Sequence, residues 1–153
     1  MNKLTMLGAA VAVALMASAA SAQEVGVAVG SVEGRDTVAS VSYSPTAVTG
    51  PFNTQVEFTY DTLVGDNSFD ADLVGVNLVK VINLNERLAV YGLGGIGYAW
   101  TNVEDRATYT YGAGVSYDLT DNLRLDARVR EVEAFDSNTD AFTVSTVGFV
   151  ARF

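Results

Sequence analysis

The chain contains no cysteine and no histidine, and two prolines in 153 residues. Without cysteine there is no disulfide framework, no thiolate metal site and no lipidated N-terminal cysteine. Without histidine no imidazole serves as a base near neutral pH or as a metal ligand. That removes the Ser-His arrangements by which some enzymes act on lipid. No cofactor is expected. Positive charge is also scarce: 9 Lys and Arg stand against 18 Asp and Glu, a net charge of −9. Nucleic acid rewards clustered Lys and Arg, so it is not an expected partner. Finally, nothing after residue 22 is long and helical in period.

What is present begins with an export address. Lys3 gives a short positive region, residues 4–16 are uncharged and mostly apolar, and Ala20-Ser21-Ala22 forms a small-residue cleavage site. The run is too short to cross a hydrocarbon core of about 30 Å. Residues 1–22 are therefore expected to be a cleaved signal peptide, with Gln23 first in the mature chain. Residues 23–153 suffice for one domain. Losing Lys3 makes that domain more acidic still.

The mature chain reads as alternating runs divided by turn residues. In residues 52–60, Phe52, Thr54, Val56, Phe58 and Tyr60 share one face, opposite Asn53, Gln55, Glu57 and Thr59. In residues 107–119, Ala107, Tyr109, Tyr111, Ala113, Val115, Tyr117 and Leu119 oppose Thr108, Thr110, Gly112, Gly114, Ser116 and Asp118. Leu123, Leu125, Ala127 and Val129 oppose Arg124, Asp126, Arg128 and Arg130. A period of two over such lengths is a strand signal. Eight strands are expected, near 24–33, 37–44, 52–61, 69–82, 86–100, 106–119, 122–135 and 140–153. Both prolines, Pro45 and Pro51, fall in one connection, away from strand interiors. Residues 73–81 are apolar on both parities and residues 92–97 are glycine-rich, so side-chain direction stays open there. Gly92-Leu93-Gly94-Gly95-Ile96-Gly97 satisfies the dinucleotide fingerprint, but that motif requires a helix to start at its glycines. Here Tyr98-Ala99-Trp100 continue a strand.

Eight alternating strands close with the apolar face inward, as in a soluble lipocalin-like carrier, or outward, as in a membrane barrel. Three features favour outward closure. The polar face carries mid-strand charges of both signs, Glu57, Lys80, Asp118, Arg124, Asp126 and Arg128, suited to mutual pairing inside a narrow barrel. Aromatic residues gather toward strand ends, as interfacial girdles require. The last strand carries Val147, Phe149, Ala151 and Phe153 on one face. The expected fold is thus an eight-stranded antiparallel transmembrane up-and-down β-barrel. A soluble periplasmic barrel carrying an apolar ligand is the alternative.

Here a resemblance becomes specific. Val147-Gly148-Phe149-Val150-Ala151-Arg152-Phe153 resembles the terminal strand of bacterial outer-membrane barrels, although the family often has Tyr where Ala151 stands. Residues 111–125 resemble the hairpin joining the sixth and seventh strands of the OmpA/OmpX-like small, porin-like barrels. The resemblance implies a Gram-negative outer-membrane location and a non-enzymatic structural or surface-interaction role. It implies contact with membrane lipid and lipopolysaccharide. It also implies that Val147, Phe149 and Phe153 form a signal read by the barrel-assembly machinery. The peptidoglycan-binding domain of full OmpA-type proteins is not expected.

With the first strand rising from the periplasm, connections near 34–36, 62–68, 101–105 and 136–139 face outward. Acidic residues including Asp61, Asp66, Asp70, Glu131, Glu133 and Asp140 are placed in or beside them. Divalent cations bridging these carboxylates to lipopolysaccharide phosphates are a minor expectation, since no calcium-loop spacing is present. Val56, Phe58, Tyr109, Val115, Leu125 and Phe149 are expected to meet lipid. Catalysis by Glu57 and Asp126 alone is the least favoured expectation, because nearby cations explain both as core charges.

Overall fold

A computed structural model describes residues 23–34, 36–45, 53–64, 71–101, 104–136 and 141–153. The expected signal peptide and Phe52 lie outside these residues. Eight strands follow one another: β1 (Glu24–Val32), β2 (Asp36–Ser44), β3 (Thr54–Val64), β4 (Ala71–Asn83), β5 (Leu88–Thr101), β6 (Arg106–Thr120), β7 (Leu123–Ala134) and β8 (Phe142–Arg152). Each pairs antiparallel with its sequence neighbours, and β1 pairs with β8, so the sheet closes into a barrel without a free edge. Gln23 N–H donates to Phe153 O at 3.1 Å, and Phe153 N–H donates back at 2.9 Å. These bonds zip the seam at the end that holds both ends of the described chain, here called the terminal mouth.

The short turns have local causes. Glu33 and Gly34 adopt positive φ between β1 and β2, the backbone hand that tight hairpins favour. Between β4 and β5, Asn85 Oδ1 accepts from Arg87 N–H at 2.9 Å and Leu88 N–H at 2.8 Å, an Asx turn. Asp121 and Asn122 turn β6 into β7, and Arg152 N–H caps the Asn122 carbonyl at 2.9 Å.

Register decides which face is inside. Glu57 pairs with Asn77, Asn77 with Gly95, Gly95 with Thr110, and Ser116 with Asp126, so these positions share the interior. Asn77 is wholly buried and Arg130 is 2% exposed, whereas outward Val29, Leu78, Ile96 and Val129 are 65, 59, 62 and 52% exposed. The polar face is inside and the apolar face outside, opposite to a soluble ligand carrier. Period two thus gives one face to charge pairing and the other to an apolar belt. Outward rings gather toward both ends: away from the terminal mouth Tyr98 lies 5.1 Å from Trp100 and Tyr109 lies 5.4 Å from Phe135, while Tyr117, Phe149 and Phe153 stand toward it.

Two expectations change. Lys80 does not join the core: odd residues of β4 point inward, so Lys80 is exposed on the outer face. β3 also runs to Val64, so Asp61, expected at the strand's end beside an outer loop, lies within the strand and is buried in the barrel. Glu131 and Glu133 stand on β7, within the strand expected at 122–135, on its outward parity.

Candidate functional site

The interior is built in layers, each assembled from several strands. At the terminal mouth, β1, β6, β7 and β8 contribute two carboxylates and two guanidinium groups. Arg124 Nη2 lies 3.1 Å from Glu24 Oε1, and its Nε lies 3.0 Å from Asp118 Oδ1. Arg152 meets the same pair, at 3.1 Å from Glu24 and 3.7 Å from Asp118. A polar cavity of about 340 Å³ opens beside them, lined by Asn53, Gln55, Asn83, Arg124 and Arg152 among others.

The middle layer is drier. Arg128 grips Glu57 with both terminal nitrogens, at 2.8 and 3.0 Å, and its Nε lies 3.1 Å from Asp126. Tyr91 O–H donates to Asp126, 2.7 Å from Oδ2, and its ring lies 5.6 Å from the Arg128 guanidinium. Asn77 Nδ2 donates to Glu57 at 3.4 Å. A forked Arg–carboxylate contact suits a low-dielectric interior because two parallel bonds compensate desolvation together. Gly114 makes the layer possible, since a Cβ there would overlap the Tyr91 ring.

The next layer holds Arg130 against Asp61 at 2.5 Å, with Ser40 Oγ donating to Asp61 at 2.5 Å. Beyond it the interior changes character. Val38, Leu73, Ala99, Val132 and Val144 form a buried apolar cluster, with Val32 and Phe142 packed against it. A cavity of about 260 Å³ lies within this distal mouth.

Of the expected core charges, Glu57, Asp126 and Arg128 meet in one layer, and Asp118 and Arg124 in another; Lys80 meets neither. The sequence reading missed Glu24, Arg152, Asp61 and Tyr91 as members. Glu24 and Arg152 sit at strand ends, where alternation is shortest. Their one legible signal was parity with Gly26 on β1 and Val150 on β8. Val147, Phe149 and Phe153 are 54, 49 and 50% exposed on the outward face of the closing strand. No group of three or more carboxylates among the described residues is placed to hold a metal ion. Asp66, Asp70 and Asp140 lie outside those residues.

Between the mouths the interior is nearly filled. The gaps around Glu57, Arg128 and Asp126 measure about 10 and 20 Å³, room for about one water each. Among the described residues the middle of the barrel is a plug of paired charges, with Arg128 shared between Glu57 and Asp126.

A closed eight-stranded barrel with a charged interior and an apolar exterior is the fold of small transmembrane outer-membrane barrels. The N-terminal β-barrel domain of Pseudomonas aeruginosa OprF superposes with a TM-score of 0.70 at 11% identity, covering 86% of this chain and 97% of that one. Neisserial surface protein A gives 0.63 at 15% identity, covering 86% and 95%. Ail, the attachment invasion locus protein of Yersinia pestis, gives 0.60 at 17%, covering 86% and 97%. The outer membrane enzyme PagL shares the fold, with a TM-score of 0.57 at 14% identity, covering 84% and 98%. No protein-family model matches the chain, and no curated protein sequence matches it.

Proposed function

We propose that this chain is an exported, non-enzymatic, OmpA/OmpX-like protein of the Gram-negative outer membrane with a structural or surface-interaction role. Both ends of the barrel chain face the periplasm, and the distal mouth faces out. Lipid and lipopolysaccharide surround the belt formed by residues such as Val56, Val115 and Leu125. The assembly machinery reads Val147, Phe149 and Phe153 during insertion. Divalent cations at the acidic outer loops remain a secondary element of this proposal.

The observation that carries the proposal is the inversion of the barrel. Arg130, Glu57 and Asp61 are buried while Val29, Ile96 and Val147 stand outside. In water such a surface exposes a continuous apolar patch around the whole molecule, well beyond what soluble monomers tolerate. In lipid it is the ground state. A non-catalytic role is favoured because Glu57 is held by Arg128 and Asp126 by both Arg128 and Tyr91. The chain also has no histidine.

Ail has been crystallised in complex with the heparin analogue sucrose octasulfate. The distal rim here carries Glu33, Asp36 and Asp72, so a polyanion of that kind is a poor match for this mouth. The test is fractionation of the expressing cell, followed by electrophoresis of boiled and unboiled samples. The expected outcome is recovery with the outer membrane and a mobility that changes on boiling. Recovery as a soluble periplasmic protein with no such change would contradict the proposal.

A further inference from the structure

The distal mouth is built differently from the rest of the interior. Its cavity of about 260 Å³ is walled by Val32, Val38, Leu63, Leu73, Phe142 and Val144. Its size lies just under the roughly 300–1,000 Å³ of ordinary small-molecule pockets. Empty apolar space of this kind gains free energy by admitting an apolar group, because its walls lack contact partners on one side.

Among the described residues, the charged groups lining the cavity are acidic. Glu33, Asp36, Asp61 and Asp72 all line it, and among the described residues no lysine or arginine does. Asp61 is compensated from below by Arg130, and Asp72 accepts from Tyr60 O–H at 3.2 Å. Glu33 is exposed at the turn. A guest whose tail enters the apolar wall therefore leaves its head among carboxylates. An anionic head is repelled there, and an ammonium is attracted over a short, partly desolvated distance.

We propose that the distal mouth is a binding site for a small amphipathic amine, with its alkyl chain among Val38, Leu73 and Val144 and its ammonium at Glu33 and Asp72. The cavity and its charge stand on the barrel alone. That the site opens to the outside of the cell rests on the orientation proposed above.

Octylamine and octanoate are the probes, added to the full mature chain refolded into phosphatidylcholine nanodiscs with methyl labels. A boil-dependent gel shift first establishes that the barrel has folded, so failure of the membrane reading is seen separately. Octylamine is expected to shift the Leu73, Val38 and Val144 methyl signals saturably, at least tenfold more tightly than octanoate. Outward Leu78, Val115 and Leu125 should report equal, non-saturating partition of both probes into lipid. Asp72→Asn combined with Glu33→Gln should erase the preference for the amine while leaving the gel shift intact. Ala99→Phe, which fills the cavity wall, should abolish saturable binding. Cavity methyls that stay unmoved while lipid-facing ones shift would overturn the proposal. So would equal affinity for the two probes, or an amine preference that survives the double substitution.

Discussion

The two mouths of this barrel are of similar size and opposite chemistry. The terminal mouth, about 340 Å³, is lined by amides and by Arg124 and Arg152, whose charges are matched by Glu24 and Asp118. The distal mouth, about 260 Å³, is walled by branched aliphatic side chains under an acidic rim. Both belong to one sheet with one alternation, so parity alone does not make an interior polar. In the middle of a narrow barrel, long charged side chains both fill the space and neutralise one another. Toward the distal end β-branched residues take over and leave space unfilled. Paired charges fill the middle of the barrel, and a cavity remains at each end, polar at one and apolar-walled at the other.

Breaking the charged middle should cost most. Arg128→Ala leaves Glu57 and Asp126 buried without their cation, and truncating one partner of a buried pair costs about 3–5 kcal/mol. Urea unfolding in bilayers or detergent checks this, with Glu57→Gln/Arg128→Met expected to recover much of the loss. Next comes the outer face: Val115→Arg, at an outward position 42% exposed, should destabilise the inserted barrel by about 2–4 kcal/mol. The distal cluster is softer. Leu73→Ala enlarges an existing cavity, and the loss should fall near the low end of the range for such truncations, about 2 kcal/mol. Smallest is Lys80→Leu, which removes a charge three residues from the end of β4, close to the terminal-side interface. The change in stability should stay within about 1 kcal/mol. A loss as large as that of Arg128→Ala would instead return Lys80 to the core.

Much of this was legible in the sequence wherever one face is polar throughout. β6 and the first part of β7 oppose aromatics and aliphatics to Thr, Ser, Gly, Asp and Arg, and there the inward residues were read correctly. β4 defeated the same logic for a physical reason. Its inward Leu73 and Val79 belong to apolar clusters inside the barrel, while its outward Val76 and Leu78 meet the belt. With apolar residues on both faces, alternation carries no sign. Lys80 was then drawn inward by its charge alone. Asp61 was misplaced because β3 runs three residues further than its turn chemistry implied. The Tyr91–Asp126 bond was hidden because a tyrosine in a glycine-rich strand reads equally well as girdle or core. Only the register of β5 against β6 distinguishes them.

The central claim is that the apolar face meets lipid while the charged face closes on itself. Because the chain lacks cysteine, a nitroxide attached at Val115→Cys reports one outward position without a background label. In bilayers, collisions with oxygen dissolved in the lipid should far exceed collisions with a water-soluble nickel chelate. The reverse order, from a protein that remains in the aqueous fraction, would contradict the account.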